Sequence, residues 1–312
     1  MDKANKSISN EIQIAKTPGY YKEFWHAMCA KQDGEEQVNQ VNNVDPPLFP
    51  AATESRFSTA LKEKSLFRRI GTVSSYYIHD YIHDGIPIEK FFPKEIFPEC
   101  DSPDFNGNVL CSCGCSCCGP YGFVPHKLCR SIYRKWGDIS DSNLESDLIM
   151  SFAKIFGNAE EKVFIQGDGN EIKGILYDTK VGKTVSGDIS FDDVKNLYDS
   201  VNERHCNKGS WLMNTETKEK LKNLKDHNDH YLWDKDNDTI FEKPVLISEF
   251  MPSNGRIVAF GDFSYYHIIE WMWIGISLSK MNDKCQNEYI GVEYLNGRLI
   301  CPEAVKVLEV KQ

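Results

Sequence analysis

Apolar and polar positions alternate most regularly over residues 142–165, where Leu144, Leu148, Ile149, Phe152, Ile155, Phe156, Ala159 and Val163 return at helical spacing on one face. Ser142, followed three residues later by Glu145, fits a capping box and predicts the start of the helix. At 1.5 Å rise per residue it would run about 35 Å, long enough to be the spine of a domain. Gly167, Asp168 and Gly169 end it, with glycine taking up left-handed backbone. Ser190 and Asp193 cap a second helix striped by Phe191, Val194, Leu197, Tyr198 and Val201. Trp211, Leu212, Met213 and Asn214 read as a short strand, and residues 216–225 as a third helix with Leu221 and Leu224 inward. Upstream, Phe57, Leu61, Leu66 and Ile70 predict a short helix followed by a strand from Val73 to Tyr77.

The end of the chain is strand-rich. Residues 244–251 place Val245 and Ile247 on one face, residues 256–260 form another strand, and residues 265–278 hold a long run of β-branched and aromatic side chains. Asn296 and Gly297, between apparent strands at 288–295 and 298–301, predict a type I′ hairpin turn. The fold class is α+β.

Two stretches lack such regularity. Residues 1–55 are polar and rich in Asn and Gln around the aromatic patch Tyr20, Tyr21, Phe24 and Trp25, and they close on Asp45, Pro46, Pro47, Leu48, Phe49 and Pro50. This reads as an arm whose aromatic patch needs another surface, and hence a partner, with Tyr21, Phe24 and Trp25 as candidate assembly residues. Residues 79–122 turn to Pro, Gly, Asp and Cys and read as a long excursion.

Composition narrows the classes. Across 312 residues, 41% hydrophobic and 12% aromatic content exclude a disordered or fibrous chain. Lys and Arg number 36 against 46 Asp and Glu, a formal charge of -10 without a basic tail or stripe, so any contact with nucleic acid is weak. Residues 1–10 hold no apolar signal core, and the longest apolar run, 268–278, falls short of the roughly 18 residues of a membrane span. These features predict a protein soluble in the cytoplasm and no membrane partner.

Seven of the eleven cysteines lie between Cys100 and Cys129, in the run Cys111, Cys113, Cys115, Cys117 and Cys118 with one at either side. Without an export signal, a thiolate cluster is the more natural account than a disulfide framework. Single-residue spacers differ from the paired knuckles of zinc sites, so bound zinc or another metal, free redox-labile thiols and later cross-links all stay open. His79 and His83, flanked by Asp80 and Asp84, would share a face on a helix, whereas on a strand they stand about 13 Å apart; they read as a solvated or interface pair. No phosphate-binding loop, nucleophile elbow or zinc-protease motif is present, and Asp262 and Glu249 read as a turn former and an exposed carboxylate. The expectation is no catalysis and no resident cofactor.

The order of these signals resembles the major capsid proteins of tailed bacteriophages, with their HK97-type fold. The stretches that carry the resemblance are Lys127 and Leu128 leading to residues 142–147; residues 159–169; Gly174, Ile175 and Leu176; Trp211 to Asn214; residues 244–252; residues 260–264 with Tyr266; and residues 297–300 with Pro302, Glu303 and Ala304. They span residues 125–308, and more loosely 53–78.

The resemblance implies an N-terminal arm over 1–55, a short helix and E-loop region with a Cys-rich insertion over 56–124, and a peripheral domain over 125–190 with its spine helix at 142–166. It further implies an axial domain over 191–291 and a return to the peripheral domain over 292–312. The implied function is a structural subunit that self-assembles through pentamers and hexamers into an icosahedral head shell around double-stranded DNA, bound without sequence preference. The virion is its location, the host cytoplasm its place of assembly, and a separate scaffolding protein, a portal and a head maturation protease its partners. The family pattern does not require the cysteine cluster, and no residue matches a motif for lysine–asparagine cross-linking. Two other readings differ in cargo or class: an encapsulin-like compartment holding protein, and a cysteine-rich metal-binding or redox protein centred on residues 111–118.

Overall fold

A computed structural model describes residues 14–30, 49–76, 126–140, 142–168, 172–234, 236–281 and 284–311. Its longest helix, Leu144–Gln166, is the predicted spine, and Leu148, Phe152, Phe156 and Phe164 are fully buried along it. The predicted capping box does not form. Asn143 precedes the helix without a side-chain cap, Ser142 Oγ lies 3.2 Å from Ser140 Oγ, and Glu145 is drawn into contacts with more distant segments. Glu145 and Asp147 still place negative charge on the first turn, where the helix dipole favours it. At the far end Gly167 adopts φ 76°, as expected of a glycine stop.

Two short helices, Ala51–Lys64 (α2) and Leu66–Ile70 (α3), run into the strand Thr72–Tyr76 (β1). Strand β2, His126–Lys135, follows. Two long strands, Tyr266–Met281 (β9) and Gln286–Leu299 (β10), join them in a four-stranded sheet of order β1-β9-β10-β2. Alternate residues of β10, namely Asn287, Tyr289, Gly291, Glu293, Leu295, Gly297 and Leu299, are buried.

The two glycines in that series let the sheet meet the spine closely. A Cβ at Gly291 would stand 2.7 Å from Phe152, and one at Gly297 would stand 2.7 Å from Phe164. Asn296 and Gly297 therefore do not make the predicted hairpin turn. They continue β10, opposite Ile269 and Ile268, and the chain reverses instead between Met281 and Gln286, where Cys285 has φ 48°. Gly297 serves by its missing side chain, a requirement set by the spine helix far away in sequence.

The second sheet has seven strands. Lys180–Ser186 (β3), Ser210–Met213 (β4), Trp233–Asp234 (β5), Thr239–Ile240 (β6), Lys243–Ile247 (β7), Gly255–Gly261 (β8) and Val305–Lys311 (β11) lie in the order β3-β11-β8-β4-β7-β6-β5. Its core gathers Trp211, Phe260, Val258, Leu308, Val194 and Leu197. The helix Phe191–Ser200 begins at the predicted box, with Ser190 and Asp193 bonded reciprocally. The third helix is shorter than expected, Thr215–Leu221, and starts where the Asn214 side chain accepts from Thr217 N–H. The class is α+β, as expected.

Strand β10 runs through position 291 within the spine-bearing sheet, and β11 pairs with β3 and β8 of the seven-stranded sheet. Apolar periodicity identifies strands, whereas their partners are chosen by long-range packing.

The expected unburied aromatic patch is also corrected. Helix α1, Pro18–Met28, starts at Thr17, whose side chain accepts from Tyr20 N–H, and it buries Tyr20, Phe24 and Trp25 on the same chain. Phe24 and Trp25 pack on Phe49, at centroid distances of 6.0 and 6.3 Å, and Phe49 hands on through Phe57 to Phe156 of the spine. Rings buried in this way contribute about 1.5–3 kcal/mol each. Their apolar demand is met within the subunit.

Replacing Gly297 by Ala should cost about 1–3 kcal/mol through crowding of Phe164. A lowered denaturant midpoint of the unassembled chain, with the slope unchanged, is the expected result.

Candidate functional site

Among the polar junctions that hold the spine helix, three tie it to the helices before β1, to β9 and to the loop after β7. At its first turn, Glu145 Oε2 accepts from Tyr21 Oη at 2.5 Å and Oε1 accepts from Thr53 Oγ1 at 2.5 Å and from Arg56. Trp25 Nε1 donates to Thr53 Oγ1 at 3.2 Å, so the arm helix, α2 and the spine share one network. The hydrogen bond to Glu145 raises the Tyr21 hydroxyl above its ordinary pKa, with burial adding to it.

The second junction is a buried guanidinium. Arg68 of α3 donates through Nε and Nη2 to Glu160 of the spine, at 2.8–3.0 and 2.5 Å, and through Nη1 to Glu270 of β9. Arg68 and Glu160 are both buried, Glu160 completely. Burial opposes the arginine's charge, but Glu160 and Glu270 outweigh it and hold the guanidinium protonated. Beside them a small cleft is lined by Glu54, Phe57, Arg68, Glu270, Glu293 and Tyr294.

The third junction lies in the last turns of the spine. Glu161 accepts from Leu66 N–H at 3.4 Å and from Ser248 Oγ at 2.5 Å, and Gln166 Nε2 donates to the Phe250 carbonyl at 2.7 Å. Ser248 and Phe250 follow β7, so this end of the helix is tied to the seven-stranded sheet. Gly174 packs against the helix end, where a Cβ would stand 2.5 Å from the Ile165 carbonyl oxygen.

Of the residues singled out from sequence, Tyr21 and Trp25 take part in the first junction, and Phe24 and the body of Trp25 lie in the core. Asp262 is a turn former, accepting from Ser264 N–H and Oγ at 3.0 and 2.6 Å, and Glu249 is exposed. Cys111, Cys113, Cys115, Cys117 and Cys118, together with His79 and His83, lie outside the described residues. Among the described residues, no three His, Cys, Asp or Glu are placed to hold a metal ion, and no helix is long and apolar enough to cross a membrane.

The Arg68 cluster was missed from sequence, although two signals pointed to it. Glu160 follows Phe156 by one helical turn on the apolar side of the spine, and Glu293 falls in the alternating buried series of β10.

The phage capsid family model matches residues 134–310, from the end of β2 through the spine helix, β9 and β10 to β11. Among solved structures, the capsid chain of an empty GTA particle computed with C5 symmetry is 26% identical, with TM-score 0.53, over 60% of this chain and 72% of that one. The capsid chain of the native GTA particle is 20% identical, with TM-score 0.55, over 80% of this chain and 91% of that one, and it shares the fold. No curated protein matches. Neither an encapsulin-like compartment nor a cysteine-centred redox protein gains support from these matches. With more than half of its length matched by that model, this chain belongs to the phage capsid family, as a structural shell subunit with an HK97-type fold.

Proposed function

We propose that many copies of this subunit close through pentamers and hexamers into an icosahedral head shell around packaged double-stranded DNA. The observation that carries this reading is the match to the capsid family from residue 134 to residue 310, which takes in the spine helix, the long strands β9 and β10 and the seven-stranded sheet. Equal copies of one subunit close into symmetric shells when each presents complementary surfaces to its neighbours. The sheet on the spine supplies the peripheral domain and the seven-stranded sheet the axial domain, with residues 77–125 between β1 and β2 as the E-loop excursion. A net charge of -10 suits a container for DNA, because a strongly basic lining would hold the genome too tightly for packing and release. Assembly takes place in the host cytoplasm with a separate scaffolding protein, a portal and a head maturation protease.

The cysteine run from Cys111 to Cys118 falls within that excursion, and there it would lock loops of adjacent subunits through metal or disulfide bonds.

Negative-stain electron micrographs of the purified chain at high concentration should show rings or closed particles, and a uniform monomer would contradict the proposal. Intact-particle mass spectrometry should find cross-linked or metal-loaded chains that collapse to alkylatable monomers with reductant or chelator. Metal-free, fully alkylatable monomers under every condition would remove the locking role.

A further inference from the structure

Four carboxylates converge on one guanidinium where α2, α3, the spine and the four-stranded sheet meet. Glu54 comes from α2, Glu160 from the spine, Glu270 from β9 and Glu293 from β10, with Arg68 from α3 as the cation facing them. All three guanidinium nitrogens are taken up by Glu160 and Glu270. Glu293 is 7% exposed, and its Oε1 has no hydrogen-bond partner although it lines the cleft with Glu54 and Tyr294. Across the strand pair it faces Leu128 of β2, which offers it no charge. A further negative charge here would be poorly solvated and would share one cation with carboxylates that already occupy it.

We propose that Glu293 is a proton-operated latch: as a neutral carboxylic acid it lets α2, α3 and the sheet close over the Arg68–Glu160 anchor, and loss of its proton loosens that junction. Burial raises its pKa well above the usual carboxylate range, Glu160, Glu270 and Glu54 push in the same direction, and Arg68 opposes them. The folded chain therefore keeps a proton that the unfolded chain releases above the ordinary value of 4.5. The stability this proton contributes is complete below that value and is lost as pH rises through the folded-state value. Helices α2 and α3 lead through β1 to residues 77–125, so loosening at Glu293 is felt at the base of that segment. The latch belongs to the folded subunit and stands whether or not the chain closes into a shell.

Thermal unfolding of the full chain and of Glu293→Gln, followed from about pH 5 to about pH 9 at fixed ionic strength, tests it. The parent melting temperature should fall by about 4 °C or more across this range, and that of Glu293→Gln by less than half as much. A difference infrared spectrum at neutral pH should show the carbonyl stretch of a protonated carboxylic acid in the parent and not in the variant. Should Glu293→Gln fail to fold, Glu293→Met supplies the same comparison with an apolar side chain of similar size. Parallel pH profiles, or the lack of a Glu293-dependent acid band, would overturn the proposal.

Discussion

One buried guanidinium sets the terms for this fold. Arg68 lies between the spine helix and the four-stranded sheet, and its Glu160 partner is sealed from solvent. Taking such a pair out of water is costly, and the loss is recovered only if geometry is close and every donor is used. Each guanidinium nitrogen of Arg68 finds a carboxylate, Nε and Nη2 forking onto Glu160 and Nη1 reaching Glu270 of β9. This requirement fixes α3 against the spine, and it fixes where β9 must lie. Gly291 and Gly297 then become necessary, since side chains there would push β10 off the helix that the arginine holds in place.

The two ends of the spine carry the frame outward. Glu145 gathers the arm helix and α2 at one end, and Glu161 with Gln166 gathers the loop after β7 at the other. A rigid rod about 35 Å long, tied at both ends and in the middle, holds the arm and the seven-stranded sheet in a set relation. That is what a shell subunit requires, because small errors in the angle between its surfaces would accumulate around a closed particle.

Legibility in the sequence followed the range of the interactions. The spine, the Ser190–Asp193 box and the strand at Trp211 depend on neighbours a few residues apart, and they stand where periodicity places them. Ser142 and Glu145 match a local rule, but a carboxylate that can collect Tyr21, Thr53 and Arg56 at once has a better use than reaching back to its own cap. Asn296 and Gly297 match a turn rule, yet close packing on Phe164 gives the glycine a different task. The arm's rings look unpaired only until Phe49 and Phe57 are placed beside them. The family, by contrast, was legible from the order of short stretches, because that order survives where single contacts cannot be read.

The most direct measurement is a double-mutant cycle on Arg68 and Glu160, using Arg68→Met, Glu160→Gln and the pair in chemical denaturation of the unassembled chain. If the buried pair organises the junction, each single change costs about 3–5 kcal/mol and the double change far less than their sum, leaving a coupling of at least about 2 kcal/mol. Costs that add within about 0.5 kcal/mol would contradict it, and would mean that apolar packing alone holds the sheet on the spine.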